Sequence, residues 1–140
     1  MPAYVNFGAV LFSMIFSVVL GFIWYGPLFG KKWMALSGIV MPSEKPKFSS
    51  MIRPIVISFV GAIFMSFVLS SSIAFHNAYY GVVGYAPTLS IAIFLWLGFI
   101  VPVHLNFSGW EKKSWTLFFI NTSYWLVFLL VSASVVVCLK

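Results

Sequence analysis

There is no aspartate in this chain, there is one cysteine, and only 7% of its 140 residues are charged. Each shortage removes a class of chemistry. The two glutamates, Glu44 and Glu111, stand in separate polar stretches, so no paired-carboxylate acid/base site can form within either half. Cys138 alone supports neither an intramolecular disulfide nor a cysteine-based metal framework, and it says nothing about the redox compartment. The two histidines, His76 and His104, fall toward opposite ends of consecutive apolar stretches. Some 17 to 20 residues of helix at about 1.5 Å each would separate them by roughly 25 Å or more, whereas metal ligands stand at about 2.0–2.1 Å. No metal and no other cofactor is implied. Gly-rich phosphate loops, zinc motifs and nucleophile elbows are missing as well.

What the chain has in excess is apolar residues, 62% of the total with a mean hydropathy of +1.07, against about 45–50% in soluble domains. The charges leave uninterrupted runs of 30, 57 and 26 residues. A spanning helix needs about 20 apolar residues, so the outer runs hold one helix each and the middle run holds two. That middle run divides at His76 to Pro87, where Asn, two Gly and a Pro signal a turn. The expectation is a single all-α domain, an integral membrane four-helix bundle with spans at about 4–24, 55–75, 88–106 and 117–139. A short interfacial amphipathic helix is expected at about 28–40.

The first span has no basic segment ahead of it, which argues against a cleaved signal peptide. Ala9, Ser13, Ser17 and Gly21 recur every four residues in it, and Ser58, Ala62, Ser66, Ser70 and Ala74 do so in the second. Small side chains on one helix face let a neighbouring backbone approach closely. The stripes therefore read as a packing seam, with a hydroxyl-lined path as the alternative. Gly26-Pro27 ends the first span. Phe29, Trp33, Leu36 and Val40 then form one apolar stripe, with Lys31 turned away and Lys32 on its flank. Arg53-Pro54 opens the second span, with Pro in its first turn. Pro102 should kink the third span and free a carbonyl near His104.

If the chain crosses four times, the loops after the first and third spans share a side. They carry Lys31, Lys32, Lys45, Lys47, Arg53, Lys112 and Lys113, against Lys140 alone on the other. Seven against one puts the basic loops in the cytoplasm and both termini across the membrane. Lysine stems and indole rings favour headgroup depth, so Trp24, Tyr25, Lys31, Lys32, Trp33, Trp110, Lys112, Lys113 and Trp115 read as interface anchors facing anionic lipid headgroups. A nucleic-acid partner is not expected, because membrane topology accounts for the net charge of +6.

The run Trp24-Tyr25-Gly26-Pro27-Leu28-Phe29-Gly30-Lys31-Lys32-Trp33, with Trp96-Leu97-Gly98-Phe99 and Asn121 further on, resembles a small, mainly bacterial family of membrane proteins catalogued as domain of unknown function 1761. The resemblance implies a four-helix protein of the bacterial inner membrane and brings no established activity or catalytic residue. The two halves also echo each other if Gly21-Phe22-Ile23 is laid on Gly98-Phe99-Ile100, an offset of 77 residues.

Polar groups at membrane depth tend to face the bundle or a wet cavity. At the cytoplasmic end these are His104, Asn106, Glu111 and Asn121, near Trp24 and Tyr25; Asn6, His76 and Asn77 form a weaker set at the other end. They read either as hydrogen bonds between helices or as a functional cluster. Three classes of function follow: an accessory membrane protein that packs against itself or another membrane protein, a small oligomeric transporter or channel, and, last, a membrane enzyme acting on lipid or quinone through His104 and Glu111.

Overall fold

The computed structural model describes residues 5–40, 43 and 47–139, and of Phe48 only the backbone. The expected span start at Tyr4, half of the polar stretch 41–50 between the expected interfacial helix and the second span, and the charges Glu44, Lys45 and Lys140 lie outside the described residues. All regular structure among the described residues is helical.

Helix α1 (Phe7–Ile23) starts where Asn6, in extended backbone, accepts the Ala9 N–H at 2.9 Å, satisfying one of the orphan donors of a helix N-terminus. The backbone N–H of Asn6 donates to Ser70 Oγ at 3.0 Å, and its side-chain amide donates to the Leu139 carbonyl at 2.9 Å. One residue thereby ties the start of the first span to the second and fourth.

The span continues through a π turn, Trp24–Leu28, in which Gly26 leaves helical space at φ −107°, ψ −105°. Pro27 lacks an N–H, and the wider loop closes instead through the Phe29 N–H on the Trp24 carbonyl at 2.9 Å. Helix α2 (Gly30–Ser37) follows and ends at Gly38, whose φ of 73° is the left-handed cap that glycine adopts most cheaply. Val40 therefore lies beyond the helix, 87% exposed, which corrects the expected stripe. Trp33 and Leu36 are half-buried, while Lys31 and Lys32 are exposed.

Helix α3 (Phe48–Tyr80) is longer at both ends than the apolar pattern predicts. It starts ahead of Pro54 and runs through His76 and Asn77 until Gly81, at φ 66°, stops it. At about 1.5 Å per residue its 33 residues reach about 50 Å, well beyond a hydrocarbon core of about 30 Å. Its polar ends continue as helix because nothing outside the bilayer forbids it.

The third span, Tyr85–Gly109, is built from α4 (Tyr85–Leu95), a second π turn (Trp96–Ile100) and α5 (Val101–Gly109). The irregularity thus precedes Pro102, which sits in the first turn of α5. Pro102 lacks a donor for the carbonyl about four residues back, at Gly98. That is more than a turn from His104, so the expectation of a freed carbonyl beside His104 is corrected. Helix α6 (Trp115–Cys138) opens with Ser114, which accepts the Thr116 N–H at 3.2 Å.

Four of these stretches, Phe7–Leu28, Ser49–Tyr80, Tyr85–Gly109 and Trp115–Cys138, are long and apolar enough to cross a bilayer, and the chain is a membrane protein. Its centre is the fourth span. Within the most apolar window of each, 44% of the residues in the fourth span are buried, against 28%, 17% and 11% in the first three. Helix α6 packs on α1, α2, α3, α4 and α5, and α1 packs on α3. The axis is filled by Leu20, Leu69, Ile73, Tyr124, Phe128 and Leu129, with Ala62, Ala92 and Ala133 fully buried among them.

Lipid tails are as apolar as these side chains, so close packing and interhelical hydrogen bonds hold such a bundle together. Ala9, Ser13 and Ser17 of α1 and Ala62, Ser66 and Ser70 of α3 are all buried. Gly21 and Ala74 are half-buried, and Ser58 is exposed. Three of these buried hydroxyls turn back on their own helices: Ser13 to the Ala9 carbonyl at 2.8 Å, Ser17 to Met14 at 2.7 Å, and Ser66 to Ala62 at 2.5 Å.

Candidate functional site

Chemistry gathers at one end of the bundle, where the first and third spans finish and the fourth begins. Four side chains tie the first and third spans to the first half of α6. Trp24 Nε1–H donates to the Ile120 carbonyl at 3.0 Å, and Trp96 Nε1–H donates to the Thr122 carbonyl at 2.7 Å. Tyr25 donates its hydroxyl to Asn121 Oδ1 at 3.1 Å, and Tyr124, itself buried, donates to the Ser17 carbonyl at 2.9 Å. A carbonyl has two lone pairs, so Ile120 and Thr122 can take an indole without giving up their place in α6.

The rings also touch. Tyr25 lies 5.0 Å from Trp33 and 5.2 Å from Tyr124, and Trp24 lies 5.0 Å from Phe29. Trp24 and Tyr25 are therefore turned into the bundle, which corrects their assignment as interface anchors. Trp110 and Trp115 differ, being 86% and 61% exposed, and Lys112 and Lys113 beside them are exposed too. Trp33 is half-buried against Tyr25.

Two pockets flank the start of α6. The first, about 370 Å³, lies between the first π turn and α6 and is walled by Trp24, Phe29, Phe119 and Ile120, with Lys32, Thr116 and Ser123 as its polar groups. The second, about 200 Å³, lies between α5 and α6 and is reached by Ser37 at the end of α2. It brings together His104, Glu111 and Asn121, as well as Ser108 and Lys113, over a floor of Phe107, Leu117 and Phe118. Asn106 is not among its lining residues and is exposed. Two positions after His104 it sits about 200° further round α5, at about 3.6 residues per turn.

The sequence reading did not single out Ser37, Ser108, Trp96 and Tyr124 for roles at this end. The repeated Trp-x-Gly, at Trp24 to Gly26 and Trp96 to Gly98, was the signal for the tryptophans. Asn6, His76 and Asn77 belong to the other end. There Asn6 is fully engaged, whereas His76 Nδ1 and Asn77 Oδ1 are enclosed with no hydrogen-bond partner among the described residues. Among the described residues no group of three or more His, Cys, Asp or Glu side chains is placed to hold a metal.

These features define a class: an all-helical, four-span membrane protein whose first and third spans each contain a π turn clamped to the fourth, at the end of the first span and midway along the third. Residues 8–137 match the family model described as "Protein of unknown function (DUF1761)", and the chain belongs to that family. No curated protein and no solved structure matches it.

Proposed function

We propose that this chain is an accessory membrane protein that acts by packing, against further copies of itself or against another membrane protein. The observation that supports this best is the filled axis: Leu69 and Phe128 are fully buried, and Tyr124 and Leu129 close the space beside them. The buried hydroxyls of Ser13, Ser66 and Thr122 bond carbonyls of their own helices rather than lining a path. By contrast the third span leaves Phe94, Leu97, Phe99 and Val103 exposed, an apolar face open to lipid or to another span.

In this reading the protein sits in a cell's inner membrane with its basic loops in the cytoplasm, as the bias of seven basic residues against one supports. Lys31, Lys32, Lys112 and Lys113 then face anionic headgroups there. A second reading, transport, has one observation in its favour, the polar pocket beside His104.

Mass measured in lipid nanodiscs, together with solute flux in liposomes, separates the two. Packing predicts assemblies at multiples of 15.7 kDa, or co-purification with a second membrane protein, and flux no higher than in empty liposomes. A lone protomer whose flux disappears in His104→Ala while its thermal stability is kept would overturn it.

A further inference from the structure

The pocket between α5 and α6 carries both signs of charge. Glu111 and Lys113 line it together with the His104 imidazole, the Asn121 amide and two hydroxyls, Ser37 and Ser108. Glu111 and Lys113 are both exposed, and no ion pair joins them. The Asn121 oxygen already accepts a hydrogen bond from Tyr25, which fixes the amide and leaves its NH2 as a donor. A carboxylate and an ammonium in one pocket favour a ligand that itself carries an ammonium and an anion a few bonds apart. An anion alone would meet Glu111 and a cation alone would meet Lys113.

Size narrows the choice. At about 200 Å³ the pocket is below the roughly 300–1,000 Å³ that encloses a whole drug-sized ligand. It suits a small polar group whose remainder lies outside. The surface that receives the remainder is apolar: Phe107 both floors the pocket and is 43% exposed, and Val103 on the same helix is 54% exposed. The site also lies where the third span ends and the fourth begins, the depth of headgroups rather than of tails.

We infer that this pocket binds the headgroup of an aminophospholipid, a phosphodiester carrying a primary ammonium, with its acyl chains on the apolar surface of α5. Glu111 accepts from the ammonium, while Lys113, the Asn121 NH2 and the serine hydroxyls donate to the phosphate. A primary ammonium has three donors to offer. A quaternary one has none, so the site distinguishes phosphatidylethanolamine from phosphatidylcholine through Glu111. The inference goes beyond the packing role and does not need it: a protein that packs and one that transports could each hold such a lipid.

The test uses the full chain in mild detergent, titrated with phosphatidylethanolamine, phosphatidylcholine and phosphatidylglycerol of identical acyl chains, with bound lipid read by native mass spectrometry. The wild type is expected to retain phosphatidylethanolamine about tenfold better than phosphatidylcholine, the size of one charge-assisted hydrogen bond. Glu111→Gln should erase that preference without changing the melting temperature, because Glu111 is an exposed loop residue. Lys113→Gln should weaken both lipids alike. Equal retention of the two by the wild type overturns the inference, as does a preference that survives Glu111→Gln. Stronger retention of phosphatidylglycerol would overturn it in favour of simple anion attraction, and soluble phosphoethanolamine bound as tightly as the lipid would remove the acyl chains from it.

Discussion

Trp24 and Trp96, 72 residues apart in the chain, donate their indole N–H groups to carbonyls only two residues apart on α6, Ile120 and Thr122. Each tryptophan opens a π turn, and each is followed two positions later by a glycine, Gly26 and Gly98. The two turns therefore correspond at an offset of 72, not at the 77 residues obtained by aligning Gly21-Phe22-Ile23 with Gly98-Phe99-Ile100. A π turn holds one residue more than an α turn, and in both spans the wider loop lies where the indole reaches across.

Replacing either tryptophan by phenylalanine keeps a ring and removes the donor. Hydrogen bonds between membrane helices are worth roughly 0.6 to 1.7 kcal/mol, so W24F and W96F should each cost about 1 kcal/mol in reversible unfolding by denaturing detergent. The bonds use different carbonyls, and the double variant should lose close to the sum. A W96F protein as stable as the wild type would show that the 2.7 Å contact carries no net stability.

Gly30 tests the corner between the first span and α2. A Cβ there would lie 2.6 Å from the Tyr25 carbonyl oxygen, a backbone atom that cannot move aside without opening the π turn. Gly30→Ala should therefore destabilise by about 2 kcal/mol or more, in the range of overpacking and strain. Gly61 is the control, since a Cβ at that position of α3 meets nothing within 4 Å. Gly61→Ala should be neutral or slightly stabilising, and melting temperatures that fall equally for both would remove the steric explanation.

How much of this could be read from the sequence depends on which physics sets each feature. The four spans were legible because bilayer thickness fixes the length of an apolar run. Their ends were not: Phe48 to Arg53 and His76 to Tyr80 are helical in regions where the bilayer no longer constrains the chain. His104, Glu111 and Asn121 could be grouped in advance because a short connection brings the end of one span beside the start of the next. Asn106 went with them wrongly, for helical phase separates it from His104. Trp24 and Trp110 are both tryptophans followed in the chain by a pair of lysines, Lys31-Lys32 and Lys112-Lys113. Only the packing shows that one donates into the bundle while the other stays exposed.

The close approach of the first two spans gives a prediction with its own internal control. Ala62 is fully buried on α3 and Ser58, one turn earlier on the same stripe, is exposed. A leucine at 62 must push α1 and α3 apart, costing about 1–3 kcal/mol, while Ser58→Leu only adds apolar surface facing lipid. The two variants should therefore separate clearly in thermal unfolding in detergent, and the same loss from both would show that the seam does not depend on small residues.

Cys138 allows the proposed orientation to be checked without engineering. It is the one cysteine of the chain and is exposed at the end of α6. With the basic loops in the cytoplasm, its thiol lies on the far side of the membrane, next to the Asn6 to Leu139 contact that ties that end together. A membrane-impermeant maleimide should label intact spheroplasts and fail on sealed inverted vesicles until detergent opens them. Cys138→Ser must abolish the signal in both. Labelling of sealed inverted vesicles alone would reverse the topology, placing Lys31, Lys32, Lys112 and Lys113 outside the cell and removing the electrostatic basis for an anionic-headgroup contact at their face.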